Sequence, residues 1–199
     1  MFDRFETAGP GFINFFLGTE FYSAVIREIL ANPEAYGRSE YGRDEKVMVE
    51  FVSANPTGPM HMGNARGGAL GDCLAAVLDK AGYNAWREFY VNDAGNQIEK
   101  FGCSLEARYL QIFKGDEIEF PEDGYQGEDI KDLAKEYADL NGDSLVNVSA
   151  EVRKKALVDY ALPKNIKKMQ ADMEKYKIFY DKWFFESELH KSGAVKASC

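Results

Sequence analysis

An α/β fold built on a parallel sheet, with a helical acidic insertion, is what this 199-residue sequence predicts. Three observations lead there. The β-branched run VMVEFVS (Val47–Ser53) passes into a turn crowded with glycine and proline, an apolar repeat of helical spacing starts near Asn64, and a second strand-like run, AWREFYVND, follows it. Strand, tight turn, helix of about five turns and strand make a right-handed βαβ unit, the building block of parallel sheets covered by helices. With 45% hydrophobic and 14% aromatic residues, the chain carries enough apolar surface to bury a core.

FINFFL (Phe12–Leu17), after a Gly-Pro-Gly break, predicts a strand, and TEFYSAVIREIL predicts a helix from Thr19. Asn32-Pro33 and the stretch AYGRSEYGRDE predict a linker, with a domain boundary near residue 40. In the next helix Leu70, Cys73, Leu74, Val77, Leu78 and Ala81 recur on what is expected to be the buried face, and Gly82 ends it as a C-terminal glycine cap. Ile98, Phe101, Leu105, Tyr109 and Ile112 mark a further amphipathic helix.

From Asp116 to Asp143 eleven carboxylates face only Lys131 and Lys135, which reads as a solvated surface insertion over about residues 114–160. Within it Ile130, Leu133, Tyr137 and Leu140 predict a short helix. Beyond it Ile166, Met169 and Met173 share a helix face, with Lys164, Lys167, Lys168 and Lys175 on the wet side. Those lysines suit a solvated face better than a phosphate-contacting one. The aromatic run IFYDKWFFES predicts a buried or half-buried strand rather than a base-stacking platform.

The formal net charge of −9 excludes a broad basic footprint, so any nucleic-acid contact must be local. The three cysteines, Cys73, Cys103 and Cys199, form no CxxC pair, which argues against a disulfide framework and a zinc site, and no metal-ligating residues stand out. No apolar stretch is long enough to cross a bilayer, and MFDRFETAGP lacks a signal-peptide layout. A soluble, cytoplasmic protein without a membrane partner is expected.

The chemistry concentrates in ANPTGPMHMGNARGG (Ala54–Gly68), at the carboxyl end of the first strand of the βαβ unit, where parallel sheets hold ligands. Pro56 and Pro59 stiffen the turn, Gly58 frees it, and Gly63 removes a side chain where a bulky ligand would meet Cβ. The helix that follows offers unpaired N–H groups and a positive dipole end to a phosphate. His61 and Asn64 stand three apart there, two donors able to stabilise charge developing on a transferring phosphorus. That points to nucleotide chemistry by positioning and electrostatics, with no covalent nucleophile; a structural or surface histidine is the competing reading. The stretch is neither GxGxxG nor GxxxxGKS/T, so neither a dinucleotide site nor a P-loop is supported.

HMGN after ANPTGP resembles the "HIGH" element of class I aminoacyl-tRNA synthetases, and VEFVSANPTGPMHMGNARGGALGD is similar to its setting in arginyl-tRNA synthetases of the bacterial kind. AGPGFINFFL, FYVNDAGNQI and WFFESELHKSG extend the likeness over most of the chain. The resemblance implies the first half of a Rossmann-like catalytic domain with a HIGH-type loop over residues 37–199, preceded in residues 1–36 by the end of an N-terminal additional domain. It implies arginine activation by ATP with magnesium, then transfer to tRNA(Arg). His61 and Asn64 would serve the ATP phosphates beside Pro59, with Gly63 making room for adenosine. Asn55 would hold the α-amino end of arginine and Glu50 its cation. Glu50 alternates with Val49 and Phe51, so a solvent-facing strand position accounts for it as well. Asn92 and Asp93 also fall at the ligand edge, where a turn and helix cap explain VNDAGN equally.

The sequence departs from the family's pattern at Asn64, where a second histidine is usual; asparagine still donates but carries no charge. The chain also ends at SGAVKASC, before the KMSKS-type loop and anticodon-binding region the family carries, so a fragment is expected, inactive by itself and prone to self-association through apolar edges. Its oligomeric state is not legible. Two other readings stay open: another HxGH-type nucleotidyltransferase, and a non-catalytic nucleotide-binding module.

Overall fold

Two compact units divide the chain, one comprising residues up to Glu45 with Val77–Asn84, the other Lys46–Ala76 with the chain from Ala85 onward. The computed structural model describes residues 2–198, the side chain of Asp116 excepted; Cys199, counted among the cysteines above, lies outside the described residues. In the first unit β1 (Phe2–Ala8) pairs antiparallel with β2 (Phe12–Leu17), and α1 (Thr19–Ala31) follows. Gly9 and Gly11, at φ 57° and 91°, make the hairpin turn, a conformation that favours glycine. β2 and α1 fall where the sequence predicts them. β1 is exposed along nearly its whole length, and its register shifts between Phe2 and Arg4.

The predicted linker is not a free tether. Ser39, Gly42 and Asp44 donate their backbone N–H groups to the carbonyls of Lys80, Ala81 and Gly82. A Cβ on Gly42 would collide with the backbone nitrogen of Tyr83, so only glycine fits this contact. Gly82, at φ 90°, terminates the preceding helix as the sequence predicts.

The second unit holds a three-stranded sheet in the order β3 (Lys46–Glu50), β4 (Asn84–Val91), β5 (Lys182–Phe185). β5 runs parallel to β4, with Phe89 opposite Trp183 and Tyr90 opposite Phe184. Both pairs stack, with ring centroids 4.2 and 5.8 Å apart, so the aromatic run serves packing, as its composition predicts. Between β3 and β4 lies α2 (Met62–Lys80); between β4 and β5 lie α3 (Asn96–Lys114), α4 (Glu128–Asn141) and α5 (Ala150–Lys175). Two short helices, α6 (Glu186–Ser192) and α7 (Ala194–Ser198), follow.

The buried face of α2 is Gly68, Gly71 and Ala75, while Leu70, Cys73, Leu74 and Val77 are exposed. The small residues let the helix sit directly on its neighbours: a Cβ on Gly71 would run into the Phe51 ring. The larger apolar residues face away because at Gly71 no side chain fits and elsewhere the seat takes nothing wider than Ala75.

The acidic stretch is not a surface appendage. α4 buries Ile130, Ala134 and Ala138, spaced by four, in the same core as Phe101, Leu105 and Tyr109 of α3 and Leu157 and Ala161 of α5. Its carboxylates occupy the opposite face, so a high acid count and a buried stripe coexist on one helix. Leu140, expected on the apolar face, is exposed. α5 is one 26-residue helix that runs through Pro163. The Tyr109 hydroxyl donates to the Gly142 carbonyl and accepts from the Leu145 N–H. The Arg153 guanidinium donates to the carbonyls of Leu145, Val146 and Val148 and pairs with Glu106 at 2.6 Å. Together they fix the connection between α4 and α5.

Candidate functional site

β3 ends at Glu50, three residues before the predicted end at Ser53, because the backbone turns. Phe51 still donates its N–H to Glu88 of β4, but Val52 and Ser53 take φ values of 70° and 45°. For a β-branched residue this is a costly region. The ladder is replaced by a side chain: the Ser53 hydroxyl accepts the Tyr90 N–H at 3.1 Å. The chain then sinks, with Pro56 and Thr57 buried, and rises through Gly58 and Pro59 to Met60 and His61.

His61 immediately precedes α2 and Asn64 lies in its first turn, and the two cap the helix reciprocally. The Gly63 N–H donates to the imidazole Nδ1 at 3.1 Å, while the Asn64 amide oxygen accepts the His61 backbone N–H at 3.0 Å. With Nδ1 accepting, the ring proton of a neutral His61 sits on Nε2, an available donor. Asn64 likewise keeps its NH2 group for donation. What the missing side chain of Gly63 clears is this ring: a Cβ there would stand 2.9 Å from His61 Cε1.

His61 and Asn64 line a cleft of about 530 Å³ with Asn55, Gly58, Pro59 and Asn92, along with Ser53, Ala54, Thr57, Met60 and Tyr125. His61 also borders a more apolar hollow of about 740 Å³ lined by Met60, Met62, Ala65, Met173 and Tyr176 among others. The structure thus brings together Asn55, Pro59, His61, Asn64 and Asn92. Glu50 is exposed at the end of β3 and outside this lining, and Gly63 lies beneath the imidazole.

Asp93 turns elsewhere. Its carboxylate accepts both the backbone N–H of Ser187, at 2.8 Å, and the Ser187 hydroxyl, at 2.7 Å, in the first turn of α6. The local cap that VNDAGN suggests does not form, since α3 begins after Gly95 without a side-chain cap, and Asp93 instead accepts at the N-terminus of a helix 94 residues further along. Glu50, Asp93 and Glu186 nonetheless share a neighbourhood. Burial first, then these three carboxylates, hold the Tyr90 phenol above its ordinary range.

Tyr125 is a lining residue that sequence reasoning missed, since it belongs to the stretch read as surface. Its N–H is held by Ser104 at 2.9 Å and its hydroxyl donates to Gln97. Thr57 and Ser53 carried no signal beyond their place in the turn. Among the described residues no group of three or more His, Cys, Asp or Glu is arranged to hold a metal ion. No helix among them is long and apolar enough to cross a membrane.

Comparison with known proteins bears on this arrangement. Residues 25–144 match the family model described as tRNA synthetases class I (R), catalytic domain. The chain is 61% identical over 195 residues to the arginine–tRNA ligase of Acetivibrio thermocellus, covering 98% of this chain and 35% of that protein. It is 60% identical to the arginine–tRNA ligase of Ruminiclostridium cellulolyticum, over 97% of this chain and 34% of that one. The chain therefore spans about one third of the length of these relatives. Among solved structures, one from Campylobacter jejuni assigned as an arginyl-tRNA synthetase superposes with a TM-score of 0.75 at 34% identity, over 92% of this chain and 40% of that one. The Thermus thermophilus arginyl-tRNA synthetase gives 0.55 at 25% identity, over 99% of this chain and 32% of that one.

Proposed function

The chain belongs to the class I (R) tRNA synthetase catalytic-domain family, and from that premise we propose that it forms the nucleotide- and amino-acid-binding part of an arginine–tRNA ligase. In the whole protein the arginine carboxylate attacks the α-phosphorus of ATP, forming a carboxyl–phosphate bond as pyrophosphate leaves. A terminal ribose hydroxyl of tRNA(Arg) then attacks the adenylate carbonyl and AMP departs. Residues 1–36 are the end of an N-terminal additional domain and residues 37–199 the first part of the catalytic domain. The protein works in the cytoplasm.

The observation that carries this reading is the reciprocal cap at the start of α2, which leaves His61 Nε2–H and the Asn64 NH2 free at the edge of an open cleft. Two hydrogen-bond donors beside a helix N-terminus bind the triphosphate, and they strengthen their hold as charge moves onto the departing pyrophosphate. Asn64 does so without the positive charge of a second histidine. Pro59 keeps the loop stiff beside the phosphates, and the apolar hollow next to His61 receives adenosine. Asn55 in the cleft binds the α-amino end of arginine. Glu50 attracts its guanidinium, with the carboxylates around Tyr90 adding to the field. Asn92 contacts substrate from the lining, whereas Asp93 acts through α6. The cleft offers amides, hydroxyls and an imidazole, which suit magnesium arriving on the nucleotide, where it neutralises phosphate charge.

Calorimetric titration of the chain with magnesium–ATP tests the reading. Binding is expected, weakened at least about tenfold in His61→Ala. Equal affinity in wild type and variant overturns the role of His61. For the whole protein, pyrophosphate exchange with tRNA supplied is expected to depend on arginine; exchange driven by another amino acid would overturn the substrate assignment.

A further inference from the structure

The loop that shapes the cleft is held from far along the chain. Val52 and Ser53 sit at positive φ, and such backbone persists only where its surroundings over-determine it. Two side chains from later elements do so. Asn165 of α5, 8% exposed, donates from Nδ2 to the Pro56 carbonyl at 2.9 Å, across 109 residues of sequence. Tyr180, just before β5, donates its hydroxyl to the Phe51 carbonyl at 3.2 Å and packs its ring on that of Phe51, 4.7 Å between centroids. Burial holds the Tyr180 phenol above its ordinary range, so it stays protonated as a donor.

Asn165 is out of place by the logic of helix packing. Arg153, Leu157, Ala161, Asn165, Met169 and Met173 form the buried stripe of α5 at intervals of four, and from Leu157 to Met173 Asn165 is the one polar side chain in it. Asparagine is a modest helix former, and burying its amide costs free energy unless a partner answers it. Here the partner is the carbonyl of the fully buried Pro56, midway between the strained limb at Val52–Ser53 and the limb that carries Pro59 and His61.

We propose that Asn165 is a positioning residue of the cleft: its hydrogen bond to Pro56 sets the depth of the loop, and so the placement of Asn55 and of the His61 cap. The consequence for nucleotide binding rests on the function proposed above; the structural coupling does not.

Asn165→Leu keeps the volume and removes the donor, and Asn165→Ala removes the donor together with the bulk of the side chain. In the 199-residue chain, hydrogen exchange over residues 52–64 is expected to quicken about tenfold in both variants, the scale of one lost hydrogen bond. The NMR signal of the His61 ring should shift, and the amides of α3 and α4 should keep wild-type protection. Magnesium–ATP affinity should fall about tenfold. Unchanged exchange over 52–64 in folded variants overturns the proposal. So does acceleration spread evenly through α3, α4 and α5, because Asn165 would then serve only helix packing. If the wild-type chain binds no nucleotide while the loop responds as described, the functional reading falls and the positioning role stands.

Discussion

The helical layer α3–α4–α5 and the loop from Phe51 to His61 lie in the same unit and are built by opposite means. The helical layer is held by apolar bulk: Phe101, Leu105, Tyr109, Ile130 and Leu157 are all 1% exposed or less. The loop buries Phe51, Pro56 and Thr57 and is otherwise held at named points, by Ser53, Asn165 and Tyr180, each through one hydrogen bond. Apolar packing tolerates a change of shape at a cost spread over many neighbours. A loop pinned by single bonds fails at each pin, and what fails is placement before stability.

That contrast can be broken or sharpened by mutation. The largest effect is expected from Phe101→Ala, which empties the centre of the helical layer: a loss of about 3–5 kcal/mol by urea unfolding, while nucleotide affinity of the folded fraction stays within about twofold. A matching loss of affinity would mean the two regions are not separable. Gly63→Ala should do the reverse. Its Cβ displaces the His61 ring, so affinity falls about tenfold while stability moves by less than about 1 kcal/mol, alanine being the better helix former. A large drop in stability there would show that the cap carries fold as well as site.

The smallest effect belongs to Glu136→Gln on the outer face of α4. The hydrogen bond and charge of Lys164 hold the Glu136 carboxyl below its ordinary value of 4.5. A group depressed in the folded state stabilises above its unfolded value, and that contribution is lost as pH falls through the folded value. The variant should therefore lose slightly less stability than wild type between neutral and acid pH, with no change in nucleotide affinity.

Much of this was legible in the residues. The parallel sheet followed from the strand–turn–helix–strand pattern, and the aromatic strand from its composition. ANPTGPMHMGN pointed to the cleft because glycine and proline crowded at a strand end force a tight turn where a parallel sheet opens to ligands. The face of α2 was misread because hydrophobicity ranks Leu70 above Gly71, whereas the contact with Phe51 selects for absence of side chain. The acidic stretch was misread because charge was counted along the chain instead of around the helix. Asn165 and Tyr125 gave no local signal, since their roles depend on contacts with segments far off in sequence.

One feature of the topology governs how the cleft comes into being. The parallel neighbours β4 and β5 are joined by a long excursion, with Arg87 and Asp181 meeting across 94 residues. Contacts that distant form late, after the entropy of closing so long a segment has been overcome, whereas α3, α4 and α5 meet through short connections. On refolding, the helices are expected to assemble early and the cleft, which needs α5 and Tyr180 in place, to be completed last. A change in Trp183 fluorescence, followed in a Trp86→Phe background, that lags behind helix formation would be the kinetic trace of that order.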